Sequence, residues 1–553
     1  MPKIFNSQNR LIFQFIFLIE LLSLAGYLIP ELRQILFGIL CLAFLYLSLR
    51  KPHLAIYILL IELFISSKGY LFYFTYNGLI ISIRIAFWLI TISAWLARLA
   101  NEIISKKIKL NKNFLENIFT KCQALIFLKN KNAKYYLIFF AILFLAFLNG
   151  LYQGSTFSNA FFDFNNWLYF ALIFPIYEIF KKNKSNLENL GKIFIICIAW
   201  LSIKTFFLLY IFAHNIPVIL LPIYKWIRTS GVGEITQMQG GFYRIFFQSH
   251  IFCLIAFFLI LPRIAKKIQN QFEIKRILSE AKAKPKDGKN NNGMILNDTS
   301  TIAQCPKYAQ NKINQKIRFL KHFLALTCTL AITLITFSRS FWLGLIVGLI
   351  FYGIAHLYQY GFKKTIQLTL IIIASLTLSL GIIASIVKFP YPDPLGGFDT
   401  AELIKKRAQT IKNEAAVASR WELLPKLRNE IKKNPITGQG FGATITYKSS
   451  DPRVLASSID GTYTTYAFEW GWLDIWFKLG IFGLLIYLII IFRIFWQNLK
   501  TTHQDSTSQN EGLAISLIAI CTIHFFTPFL NHPLGIGALI LMEVMNNFAF
   551  KKI

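Results

Sequence analysis

The sequence predicts an all-α polytopic membrane protein, with about 12 to 14 transmembrane helices and one large extracytoplasmic loop. Three observations carry this. Hydrophobic residues make up 55% of the 553 positions and charged residues only 15%, an apolar content above that of soluble domains. Apolar stretches of about 17 to 25 residues recur along the whole length rather than in one anchor. The Lys and Arg residues fall in short blocks between these stretches, as topology signals do. Secreted enzymes, cytosolic enzymes and disulfide scaffolds are excluded. The net charge of +32 does not point to nucleic acid, because no basic stripe with interleaved aromatics lies on a soluble domain; membrane lipids and lipid phosphates are the expected partners.

Taken in order, candidate spans lie near 11–29, 34–49, 54–67, 79–97, 136–152, 166–180, 193–212, 245–262, 322–337, 341–357, 366–387, 472–495, 513–529 and 533–550. The first follows Lys3 and Arg10 and resembles a signal peptide, but it lacks a convincing small-residue cleavage site and is read as a helix. The third and sixth are short enough to be re-entrant or tilted. With the N-terminus inside, 37 Lys/Arg fall on the cytoplasmic side and 19 outside, which satisfies the positive-inside rule. Thirteen of the outer 19 lie between Lys388 and Lys478, and a long loop crosses regardless of its charge.

The organisation expected from this is N-terminal transmembrane helices over 1–262, with a basic cytoplasmic loop at 98–135. A cytoplasmic loop follows at 263–321, then transmembrane helices over 322–387, a large periplasmic loop at 388–471 and C-terminal helices over 472–553. Segment 263–321 contains "SEAKAKPKDGKNNNGMILNDTST", too polar to bury a core, and is expected to be disordered. The periplasmic loop opens with the turn-forming "KFPYPDPLGG". A polar helix is expected from Ala401 towards Lys412. A second is expected to begin at Ser419, with Ser419 and Glu422 as a capping box and an apolar stripe of Trp421, Leu424, Leu427 and Ile431. Pro425 argues for a kink or a later start, and the Gly-rich "NPITGQGFG" reads as a turn. The seven cysteines show no CxxC pairing, so neither a zinc site nor a redox motif is indicated.

Several strings together resemble the O-antigen ligase and O-antigen polymerase superfamily of polytopic glycosyltransferases that use polyprenyl-pyrophosphate-linked sugars. They are "TFSRSFWLGLIVGL" from Thr336, "SRWELLPKLRNEIKKNPITGQGFG" from Ser419, "KLGIFGLLIYL" from Lys478 and, more weakly, "GGFYRIFFQSH" from Gly240. The resemblance implies a glycosyltransferase in the bacterial inner membrane, acting at its outer face. It would move a lipid-linked glycan onto a hydroxyl of lipid A-core or of another glycan. An O-antigen polymerase, joining lipid-linked repeat units, is the alternative within the superfamily. A secondary transporter is the alternative outside it, disfavoured because no internal repeat is visible and a single outer loop dominates.

Such a transfer needs groups that neutralise the departing diphosphate, and arginines at the membrane surface supply permanently charged planar forks. Arg244, Arg339 and Arg420 are the candidates. Arg339 sits in a turn of about three residues on the side where positive charge is discouraged. No HExxH or outer-face DxD pair is present, which fits a metal-independent enzyme without a cofactor. Many ligases carry a histidine near the end of the large loop; here 388–471 contains none, and Glu469 stands at that position by count. Glu469, Asp460 and Asp474 are therefore the candidate general bases, with His532 in the outer turn "HFFTPFLNHPLG" a more distant one. Arg84 and Lys204 lie within spans, where charge is expensive; each is either functional or paired with an intramembrane Glu such as Glu62 or Glu178.

Overall fold

The computed structural model describes residues 7–76, 79–106, 125–183, 185–214, 216–238, 242–283, 306–395, 415–456, 458, 460–505 and 508–548. Its helices in chain order begin with α1 (Ser7–Leu28), α2 (Pro30–Arg50), α3 (Pro52–Ile65), α4 (Ile83–Ser105) and α5 (Ala133–Tyr152). Next come α6 (Phe157–Phe164), α7 (Ile173–Lys182, entered through a 3-10 turn at Trp167–Leu172), α8 (Ser185–Ala213) and α9 (Pro217–Thr229). The middle of the chain holds α10 (His250–Ala283), α11 (Pro306–Ile335), α12 (Arg339–Tyr360) and α13 (Phe362–Val387). The last are α14 (Ala415–Lys433), α15 (Pro452–Leu455), α16 (Gly471–Asp505), α17 (Ser508–His524) and α18 (Pro533–Phe548). Among the described residues nine helices are long and apolar enough to cross a membrane: α1, α2, α4, α5, α8, α11, α12, α13 and α16. The chain is an all-α polytopic membrane protein, in which α3, α7, α10, α17 and α18 lie among these nine.

Local sequence explains many helix boundaries. Pro30, Pro52 and Pro217 open α2, α3 and α9, where the missing N–H costs nothing and φ is already set. The Ser82 and Thr156 hydroxyls accept from the backbone N–H groups of Ile85 and Asn159 and so cap α4 and α6. Gly480, at φ +68, breaks α16 into two helical stretches.

The connections meet at two ends. At one, Arg98 reaches Ser48 O at 3.2 Å, Asn132 donates to Glu543 at 2.8 Å, and Arg493 donates to Asn132 at 2.8 Å. The other, the site end, carries three antiparallel hairpins: β1 (Tyr73–Tyr76) with β2 (Leu79–Ser82), β3 (Glu234–Gln237) with β4 (Tyr243–Phe246), and β5 (Ile445–Lys448) with β6 (Thr462–Thr465). Hydropathy does not reveal such four-residue strands, and the residues 79–82 expected to begin a span form β2 instead. Two-stranded hairpins are marginal alone; here the bundle holds them, with Ile235 and Ile245 buried beneath the second.

The main core runs through the bundle, and a smaller one of Leu423, Leu427, Ile431, Ile445, Tyr447, Phe468 and Phe477 organises the large loop against the start of α16. Leu370 and Ile373 on α13 remain exposed, as a lipid-facing surface requires. The two cations expected within spans, Arg84 and Lys204, are both paired. Arg84 bonds Glu62 at 3.0 Å, one of the two partners expected, whereas Lys204 reaches Glu20 of α1 at 2.7 Å. Glu178 is held by Lys182 at 2.6 Å instead.

Three local expectations change. Segment 263–321 is helical at both ends, because α10 continues to Ala283 and α11 starts at Pro306, and extending a formed helix through good helix formers is easy; the rest of the expected disordered stretch, 284–305, lies outside the described residues. Helix α14 starts four residues before Ser419, so Ser419 and Glu422 cap nothing. Ser419 instead meets Tyr447 and Ser449 at 3.0 and 2.7 Å, and Glu422 accepts from Ser450 N–H at 3.0 Å. The helix passes through Pro425, and its buried stripe is Leu423, Leu427 and Ile431, with Trp421 55% exposed. The helix expected from Ala401 towards Lys412 lies outside the described residues.

Candidate active site

The Ser-Arg turn joins α11 to α12. Phe337 there adopts φ +45, a conformation that costs a bulky residue about 1–3 kcal/mol and persists only under packing. Its buried ring supplies that packing, with centroids 4.8 Å from Phe242 and 5.4 Å from Trp342. The bend makes Arg339 the first residue of α12, half-buried. Arg244 arrives from the hairpin rather than from a span end: it lies on β4 opposite Thr236, and its Nε donates to Thr336 O at 2.7 Å. The structure thus brings Arg244 and Arg339 to one turn.

Arg420 and Glu469 come together elsewhere on the same end. They form an ion pair, at 33% and 51% side-chain exposure, in the wall of a solvent-open pocket of about 430 Å³. Tyr447, Asp451, Tyr463 and Thr465 also line it. Burial pushes the Tyr447 hydroxyl above its ordinary pKa, so it remains a donor at neutral pH. The turn at 525–532 connects the two arginine positions. Thr527 meets Ser340 at 3.0 Å, Phe526 packs on Trp470 with centroids 5.5 Å apart, and Trp470 Nε1 donates to Arg420 O at 2.9 Å.

The other candidate carboxylates have different settings. Asp460 is exposed, in the turn before β6, and does not line the pocket. Asp474, one turn into α16, is buried; Lys478 pairs with it at 2.6 Å and Asn531 donates to it at 2.6 Å. Lys478 also pairs with Asp163 of α6 at 2.6 Å, and Asp163 accepts from Gly442 N–H at 3.0 Å. His532 is near Arg84 and Lys68; burial, then these two cations, push it down to about 3, so it is neutral at pH 7.

The Gly-rich turn is a joint. Gly438, Gly440 and Gly442 have φ of +71, +79 and +79, and the α5 backbone sits where a Gly440 side chain would go. Its amides donate to the protein itself: Gln439 to Phe477 O at 2.7 Å, Gly440 to Lys478 O at 3.1 Å and Phe441 to Ala146 O at 3.2 Å. A turn whose amides are so used is no phosphate cradle.

Sequence reasoning missed Lys478 and Asp163. The four-residue spacing of Asp474 and Lys478 was a readable signal. Asp163 gave none, since its partner is 315 positions away. No curated protein and no solved structure matches the chain. Residues 324–488, which hold the Ser-Arg turn, the described part of the large loop and the start of α16, match the family model described as O-Antigen ligase, and this match supports the resemblance of the chain to the O-antigen ligase superfamily.

Proposed function

We propose that the chain is a metal-independent glycosyltransferase of the bacterial inner membrane. It moves a glycan from a polyprenyl-pyrophosphate donor to a hydroxyl of lipid A-core or another glycan at the outer face. The observation that carries this reading is the Arg420–Glu469 pair in a solvent-open pocket, linked through the 525–532 turn to the arginines beside the Ser-Arg turn. The charge split of 37 cytoplasmic to 19 outer Lys/Arg supports placing this end outside.

A half-exposed ion pair is worth only about 0–1 kcal/mol, so a diphosphate competes well for Arg420. Once Arg420 turns to the donor, with Arg244 and Arg339 on the other side, Glu469 is released as a base. The acceptor oxygen forms a bond to the anomeric carbon while the bond from that carbon to the phosphate oxygen breaks. The hydroxyl proton passes to Glu469, and the electron pair leaves on the diphosphate, where the arginine forks hold it.

The test uses the full chain in proteoliposomes with a polyprenyl-pyrophosphate glycan. Glycan appearing on lipid A-core supports the ligase reading, and glycan appearing on a second lipid-linked unit makes the chain a polymerase. Absence of transfer to either acceptor overturns the proposal. Glu469→Gln should lower kcat by about 10²–10⁴; an unchanged rate from pH 5 to 8 would remove Glu469 from the base role.

A further inference from the structure

A second pocket, of about 310 Å³, opens further along α14 and has no part in the step above. Gln153, Thr156 and Asn159 from the α5–α6 turn form one wall; Glu430, Gln439 and Thr444 form the other. The lining is mainly amides, hydroxyls and one carboxylate, with Phe477 and Ala443 its apolar side chains, and it holds no Lys or Arg. Glu430 is itself paired with Lys433 at 2.7 Å. A phosphate or an anionic headgroup would find no cation here, and an apolar peptide would find little apolar wall. Sugar hydroxyls both donate and accept, as do carboxamides, each with two N–H donors and a carbonyl.

The walls are built rather than incidental. The Asn149 amide donates to Gly438 O at 3.0 Å, Phe441 N–H to Ala146 O at 3.2 Å and Gly442 N–H to Asp163 at 3.0 Å, which clamps the α5–α6 turn onto the large loop. Gln439 is held from both ends, donating to Glu430 O at 3.3 Å and accepting from Asn434 at 3.1 Å. This fixes polar groups in advance, which reduces the ordering cost of binding. The volume is that of a small ligand site. Arg420 and Glu430 are ten residues apart on one helix, so the two pockets are separated by about 15 Å along it.

We propose that this pocket is a saccharide subsite, which holds sugar rings of the glycan chain at a distance from the ring that reacts. The inference rests on the glycosyltransferase reading and adds a substrate-length preference to it. The glycan belongs to the donor or to the acceptor, and the experiment separates the two.

Wild-type chain, Asn159→Ala and the pocket-filling Asn159→Trp are compared in proteoliposomes. Donors carry one sugar or several, and so, independently, do the acceptors. Both variants should reduce the ratio of kcat/KM for the long substrate to that for the short one by about tenfold, as loss of one or two hydrogen bonds would. The substrate whose lengthening shows the effect identifies the source of the glycan. An unchanged ratio in both variants overturns the subsite. Binding of the free oligosaccharide to the full chain, followed by saturation-transfer NMR, gives a readout independent of turnover. Loss of this signal in Asn159→Trp supports the subsite even if no transfer occurs, and an undiminished signal overturns it.

Discussion

Replacing Lys478 by methionine tests what joins the large loop to the bundle. The Lys478 side chain is 4% exposed and lies 2.6 Å from both Asp163 and Asp474. Methionine keeps most of the volume and removes the cation, leaving two carboxylates facing each other in a buried site. Each retains one hydrogen bond, from Gly442 N–H and from Asn531 respectively. Breaking a buried ion pair from one side costs about 3–5 kcal/mol, and two stranded acids place Lys478→Met at the upper end of that range. Replacing all three groups in Asp163→Asn, Lys478→Met, Asp474→Asn removes the uncompensated charge and should recover most of the loss, because neutral replacement of a whole buried ionic set is often close to neutral in energy. Unfolding in mixed micelles measures both variants, and limited proteolysis of the loop shows where the loss occurs. A triple variant as unstable as Lys478→Met, or a Lys478→Met protein within about 0.5 kcal/mol of wild type, would refute the charge argument.

Three further outcomes are expected. Arg339→Lys and Arg420→Lys should each reduce transfer about 10- to 100-fold at normal expression, since an ammonium keeps the charge and loses the fork; full transfer by either would remove that arginine from diphosphate binding. Gly440→Ala should destabilise the chain by at least about 1–2 kcal/mol, from the left-handed backbone alone, whereas Gly381→Ala, inside α13 with open space at its Cβ, should instead stabilise it by about 0.5–1 kcal/mol. A cysteine placed at position 290 should resist a membrane-impermeant thiol reagent in intact cells and react after permeabilisation; labelling in intact cells would invert the proposed topology.

The sequence alone determined the all-α membrane class and most of the long apolar helices, though not α6, α9 or α15. These follow from hydropathy, a local quantity read in windows of about 20 residues, because a segment with too few polar groups has one stable place in a bilayer. It also singled out the Ser338–Arg339 turn, since a cation between two closely spaced spans stands out locally. Only the tertiary structure decided which charges meet. Lys204 chose Glu20 across 184 positions, and Lys478 chose Asp163 across 315. The Arg420–Glu469 pair, and the use of the Gly-rich amides by α5 and α16, were likewise invisible in one dimension. Each depends on which helices become neighbours, and that is set by the packing of the whole bundle rather than by the composition of any one segment.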